Sequence, residues 1–255
     1  MKILNIIALF LFIGIKAQTS INGVVLYQET FKSTLGNVNS NYELYFNKNH
    51  SIYLFSGNST QTETNSDGKF SKFIPQRSSD PPFYYKKLNK KEVFYNSKTA
   101  LNQYTVKDDS LNLNWKIHKE KRIIGNYECS KATIEFRGRR YTVWFTSKIP
   151  VDYGPRKFSG LPGLILEIYG DKGVYRAYAS EIKMNNKTEN TEKVLTKINL
   201  TNPISYNEFL NKRCDDALEF KRIIESKMGR GAGRLKLTKV GNKENLEINT
   251  DECIK

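Results

Sequence analysis

"KFSGLPGLILEIYG", residues 157–170, joins a tight backbone bend to the most apolar run of the chain. Three glycines and a proline sit beside Leu161, Leu164, Ile165, Leu166 and Ile168. Leu161-Pro162-Gly163-Leu164 fits a type II turn: proline presets φ at the second position, and glycine supplies positive φ at the third. The chain then leaves as a strand. Leu164, Leu166 and Ile168 face one way, and Ile165, Glu167 and Tyr169 the other. The bend therefore aims a greasy strand into a sheet interior. Gly170-Asp171-Lys172-Gly173 reads as a second turn, and residues 174–184 as the returning strand.

Outward from this unit the pattern stays β. In "SKATIEF" (130–136) Ala132, Ile134 and Phe136 alternate with polar residues, and in "YTVWFT" (141–146) Tyr141, Val143 and Phe145 share a face. Arg137 to Arg140 join them, with Gly138 free to take positive φ, in a basic turn expected to be exposed. Residues 21–31 form a strand, and 41–56 a hairpin turning at Asn47 to Asn49. Residues 91–97, 101–106 and 111–118 are short strands, and the polar stretch 57–82 is a long loop or insertion. Past Asn202-Pro203, Ser205 to Glu208 match a capping box, and Leu210, Cys214, Ala217, Leu218, Ile224 and Met228 recur at helical spacing up to Gly229. A final hairpin could follow within the tail. The fold class is mainly β (α+β): a curved antiparallel sheet, open or rolled as far as a half-barrel, with one long C-terminal helix over residues 205–228 packed on it.

The chain has 255 residues, 38% hydrophobic and 12% aromatic, enough to bury a core. Lys2, the apolar run Ile3 to Ile15 and small Ala17 read as a secretory signal peptide over 1–17, cleaved near Ala17. The run is shorter than the roughly 18 apolar residues that mark a membrane helix. Residues 18–255 are expected to form a single exported domain, periplasmic or extracellular. The chain holds 41 bases and 26 acids; removing 1–17 takes two lysines and no acid, which leaves 39 bases. The excess suits peripheral contact with an anionic membrane surface or an acidic partner, or a plainly solvated surface. No nucleic-acid module is recognisable, so nucleic acid is not expected as a partner. Export favours one disulfide among Cys129, Cys214 and Cys253. Cys214 and Cys253 would close a moderate loop, and the other pairings, or no bridge, stay open.

Little in the residue pattern carries chemistry. His50 and His118 lack metal-ligand companions, so no metal is expected, and "GRGAGR" (229–234) has neither the strand before it nor the Lys-Ser/Thr after it of a phosphate loop. No cofactor is called for, and no catalytic residue is assigned. A Cys129 nucleophile with His118 as base is the one hydrolase arrangement available. The better candidates are aromatic and apolar: Trp144, pointing away from Val143 and Phe145, and Tyr153, Phe158 and Leu161 in the irregular connection after it. They could line a pocket for an apolar ligand or plug one end of the sheet as ordinary core.

Residues 141–170, "YTVWFTSKIPVDYGPRKFSGLPGLILEIYG", resemble the signature of the GLPGLI family of exported Bacteroidetes proteins. Gly160, Leu161, Pro162, Gly163, Leu164 and Ile165 spell its hexapeptide, and residues 123–139, with Gly125 ahead of Cys129, look like its lead-in. The resemblance implies export and no particular activity. A weaker likeness, over about two hairpins, is to half-barrel periplasmic lipoprotein carriers; it implies a curved sheet with a helix on its concave side. The leading expectation is a non-enzymatic cell-envelope protein that binds an apolar or amphiphilic ligand or a partner protein. The alternatives are a structural or assembly module of the outer membrane or secretion machinery, whose hairpin edges pair with a partner, and a hydrolase with an unrecognised site.

Overall fold

In a computed structural model of the chain, the structure describes residues 21–33, 36–57, 59–65, 68–74, 81–88, 90–185 and 191–228. The expected signal peptide, Cys253, the glycine-rich 229–234 segment and the tail hairpin lie outside them. The strands are β1 (Gly23–Ser33), β2 (Gly36–Phe46), β3 (His50–Phe55), β4 (Ser59–Asn65), β5 (Gly68–Ile74), β6 (Phe83–Lys87), β7 (Val93–Lys98) and β8 (Gln103–Asp108). There follow β9 (Lys116–Ile124), β10 (Tyr127–Phe136), β11 (Arg139–Thr146), β12 (Leu164–Gly170), β13 (Tyr175–Met184) and the two-residue β14 (Ile204–Ser205), with helices α1 (Thr191–Leu195) and α2 (Tyr206–Lys227).

The strands form one curved, unclosed sheet in the order β14-β8-β7-β6-β3-β2-β1-β13-β12-β11-β10-β9, with the β4–β5 hairpin branching from β2. All pairings are antiparallel except β14 with β8. The mainly β class with one long C-terminal helix is therefore correct. The halves meet where β1 pairs with β13, Gly23 opposite Met184 and Phe31 opposite Tyr175.

Several elements differ from the sequence expectation. The polar stretch 57–82 holds the β4–β5 hairpin, and Asn37 to Asn39 of β2 pair with β4. Strand β6 was invisible beside it. Residues 191–200 cover the outer sheet face: Val194, Leu195, Ile198 and Leu200 pack on Val24, Tyr45, Ile52, Phe83 and Tyr85. The Ser205 hydroxyl caps α2, accepting the Glu208 N–H at 3.1 Å. The expected stripe, however, does not lie wholly on the sheet. Tyr206, Phe209 and Ala217 are buried, whereas Leu218 and Met228 are exposed. The helix docks beside the β7–β8 turn, where Asp216 accepts hydrogen bonds from Thr99, Asn102 and Tyr104.

The opening turn also differs. Gly163 N–H donates to Leu161 O at 2.7 Å, closing a three-residue γ-turn centred on Pro162, while Leu164 N–H donates to Ile149 O at 3.0 Å. A type II turn is thus replaced by a tighter one, because the following amide is claimed by Ile149 at the start of the same connection. A bulge opposite Trp144/Phe145 then shifts the register: Ile168 pairs with Val143, but Ile165 pairs with Phe145. Ile165 and Ile168 therefore share the core face, contrary to simple alternation, and Leu164 to Ile168 are all buried.

Candidate functional site

The connection from β11 to β12, residues 147–163, is a loop that runs through the inside of the sheet. Ile149, Val151, Tyr153, Phe158 and Leu161 are buried and belong to the main core. Phe158 packs against Tyr141, Phe136 and Trp115 with ring centroids 4.8, 5.6 and 6.2 Å away. A buried loop must satisfy its backbone. Here Ile165 N–H donates to Tyr153 O, Gly160 N–H to Asp152 O, and the Trp115 indole N–H to Ser159 O. The Lys86 ammonium, from β6, donates to both Gly154 O and Phe158 O at 2.8 Å.

Two further locks are ionic. Arg156 stands at φ 50, a left-handed conformation that costs a bulky residue roughly 1–2 kcal/mol. From it the guanidinium reaches fully buried Glu29 of β1, with Nε 2.9 and 3.0 Å from its two oxygens. The rings of Phe31, Tyr42, Tyr84 and Tyr175 surround the guanidinium at 4.6 to 5.8 Å. Glu29 also accepts from Tyr53 and Tyr175 at 2.8 and 2.7 Å. Lys157 reaches fully buried Asp108 of β8 at 2.9 Å, between the rings of Tyr95 and Tyr206. The second partner of Asp108 is Arg137 in the β10–β11 turn, bound through two 2.8 Å hydrogen bonds. The turn expected to be solvated thus sends its first arginine inward. Burial would raise the Asp108 carboxyl, but Lys157 and Arg137 outweigh it and hold the group below the usual carboxylate range. Burial lowers the Lys86 ammonium to about 7, with Asp152 opposing the shift.

The four candidate binding residues fall on two faces. Tyr153, Phe158 and Leu161 fill the inner face. Trp144 points to the outer face, where the Arg122 guanidinium covers its ring at 4.4 Å and pairs with buried Glu167. All four are buried in one hydrophobic cluster, with Trp144 entering it from the opposite side of β11. The buried ions Glu29, Lys86, Asp108, Arg156 and Lys157 carried no sequence signal beyond their place in apolar strands or beside the hexapeptide.

Cys129 and His118 do not face each other, since Cys129 stands opposite Arg122 on β9. His118 Nε2 lies 2.7 Å from Thr133 Oγ1. Burial pushes the Cys129 thiol up to about 11, which makes it a poor nucleophile at neutral pH. Cys129 is free and buried, and Cys214 is disulfide-bonded. Among the described residues, no group of three or more His, Cys, Asp and Glu could hold a metal, and no helix is long and apolar enough to cross a membrane.

The sheet's two ends are unequal. At one end β14 is two residues long and leads directly into α2. At the other, β9 runs for nine residues, pairs with β10 alone among the described strands, and exposes Ile117 and Ile123 at 52% and 68%. Lys116, Lys119, Lys121 and Arg122 line it against the single acid Glu120.

A family model described as "Protein of unknown function (Porph_ging)" matches residues 137–167, the segment from the β10–β11 turn through the buried loop into β12. This short match overlaps the stretch that resembles the GLPGLI signature and extends to no other part of the chain. No curated protein matches. Two crystal structures of PNGF-II, in space groups P21 and C2, are similar at a TM-score of 0.48 and 16% identity over 79% of this chain. The match covers 34% and 33% of those chains, so this chain spans about a third of their length.

Proposed function

We propose that the protein is a non-catalytic, exported envelope module that recruits a partner protein by strand addition at β9. The observation that carries this reading is the nine-residue strand β9, which has one neighbour among the described strands and a basic, isoleucine-bearing surface. Its backbone groups are a ready template for a further strand. Its lysines repel a second copy of the same edge and favour an acidic strand, which supplies selectivity through charge. The inner face, where an apolar ligand would lie, is occupied by Tyr153, Phe158 and Leu161, so the carrier reading finds less support than the assembly reading.

The test uses two labelled nine-residue peptides, one alternating valine with glutamate and one valine with lysine, followed by fluorescence anisotropy. The glutamate peptide should bind and weaken with salt. The double variant Lys119→Glu/Lys121→Glu, altered only at exposed positions, should reverse the preference. Binding of neither peptide, or a preference untouched by the reversal, rejects the proposal.

A further inference from the structure

A second surface lies on the outer face, over the middle of the sheet. Glu167 of β12 is 5% exposed and is held between two arginines from different strands. Arg176 of β13 approaches one carboxylate oxygen through Nε at 2.9 Å and a terminal nitrogen at 2.7 Å, and Arg122 of β9 takes the other oxygen. The two side chains are 38% and 58% exposed, although the Arg122 Nε is buried and its guanidinium lies over Trp144, as that of Arg176 lies over Tyr178. They border an open cleft of about 680 Å³ that also receives Tyr169, Thr30 and the Asp171–Gly173 turn. One carboxylate serves two arginines, so the cluster keeps a net positive charge, which Lys172 and Asp171 leave unchanged.

We infer that this cleft binds an acidic saccharide, with a sugar carboxylate on the Arg122–Arg176 pair and a pyranose face on Tyr169. Glu167 takes Nε and one terminal nitrogen of Arg176 and one terminal nitrogen of Arg122, which leaves the second terminal nitrogen of each arginine to donate to the two oxygens of a ligand carboxylate. Tyr169 is paired directly opposite Arg176 across β12 and β13, so an aromatic side chain and a charge leave the same face of the sheet from adjacent strands. The Thr30 hydroxyl, which donates its proton to Asn39 Oδ1, and the Asp171 carboxylate supply further acceptors for ring hydroxyls. An extended peptide fits less well. Both β12 and β13 are interior strands, paired on each side, and offer no free backbone edge. This inference is independent of the β9 proposal, since β9 contributes only Arg122 to the cleft.

Isothermal titration of the full mature chain with trigalacturonate, neutral galactotriose and inorganic phosphate tests it. Trigalacturonate should bind, and galactotriose should bind about tenfold more weakly or worse, as loss of a charge-assisted hydrogen bond predicts. Arg176→Ala and Tyr169→Ala should each weaken trigalacturonate by about tenfold. Tyr169→Ala removes an exposed side chain, so its thermal unfolding should match the parent, whereas Arg176→Ala takes one counter-charge from buried Glu167 and should unfold earlier while remaining folded at the titration temperature. The inference is overturned if trigalacturonate does not bind, if phosphate binds while it does not, if the neutral trimer binds equally, or if Arg176→Ala leaves affinity unchanged. An acidic peptide competing for the cleft as strongly as trigalacturonate would also overturn the saccharide assignment.

Discussion

Two glycines of the hexapeptide show how different the demands on one residue type can be. A Cβ on Gly163 would stand 2.2 Å from Thr146 O, against backbone that cannot swing aside. Gly160 has φ +85 and open space around its missing Cβ. Gly163→Ala should therefore prevent native folding, whereas Gly160→Ala should cost only roughly 1–2 kcal/mol of left-handed strain. Urea denaturation of both variants checks the contrast; comparable losses would mean that the approach to Thr146 is not what demands glycine. The Arg156–Glu29 lock is a second case at this scale. Glu29→Gln leaves a guanidinium buried without its counter-charge, and such a loss costs about 3–5 kcal/mol. Replacing both residues with methionine should recover part of that loss, because a buried pair repays little more than its own desolvation. A double-mutant cycle by chemical denaturation measures the recovery, and strict additivity would show that the two side chains act separately.

Among the elements, those with clean alternation or capping chemistry are legible in the sequence. The β2–β3 hairpin turns where Asn47 Oδ1 accepts the amides of Asn49 and His50, and β10 and β11 follow their apolar alternation. The β4–β5 hairpin was not legible, because its polar residues resemble a loop and no apolar alternation betrays a strand. The buried route of residues 147–163 was hidden for the opposite reason. Arg156 and Lys157 read as surface, and only their distant partners Glu29 and Asp108 make burial possible. Lys86 belongs to this same fastening and gives it a pH dependence. An ordinary lysine keeps its proton to 10.5, but buried Lys86 releases it at about 7. Between those values the unfolded chain binds more protons, so this group raises stability as pH climbs, by at most about 1.4 kcal/mol per pH unit. A neutral amine still has two N–H donors, so both loop carbonyls stay satisfied. Above about pH 10 the trend should turn, because burial raises the phenols of Tyr27, Tyr53 and Tyr175 and the unfolded chain then loses protons first. Urea midpoints at pH 6.5, 8 and 9.5 should rise for the parent and lose that rise in Lys86→Met. A slope that survives in the variant would assign it to another group.

For the whole molecule the question is what keeps an open sheet of this size curved around one interior. A barrel closes by pairing its first and last strands, but here β14 and β9 never meet. The inner face is closed by chain, not by hydrogen bonding across a seam. Residues 147–163 bring five apolar side chains to the centre, and their charges tie β1, β6 and β8 to one loop. Replacing residues 149–161 with a glycine-serine linker of equal length would remove those apolar groups, take Arg156 from Glu29 and Lys157 from Asp108, and displace the carbonyls that Lys86 bonds. Buried unpaired ions and an unfilled core each cost several kcal/mol, more than a marginally stable domain can lose. The chimera should therefore keep strand-rich far-ultraviolet circular dichroism at most, lose near-ultraviolet signal, and bind 1-anilinonaphthalene-8-sulfonate. A cooperative unfolding transition in the chimera would mean that the sheet holds its own curvature. The loop would then be a removable plug, the groove beneath it an aromatic cavity, and the inner face would again compete with β9 as the binding surface.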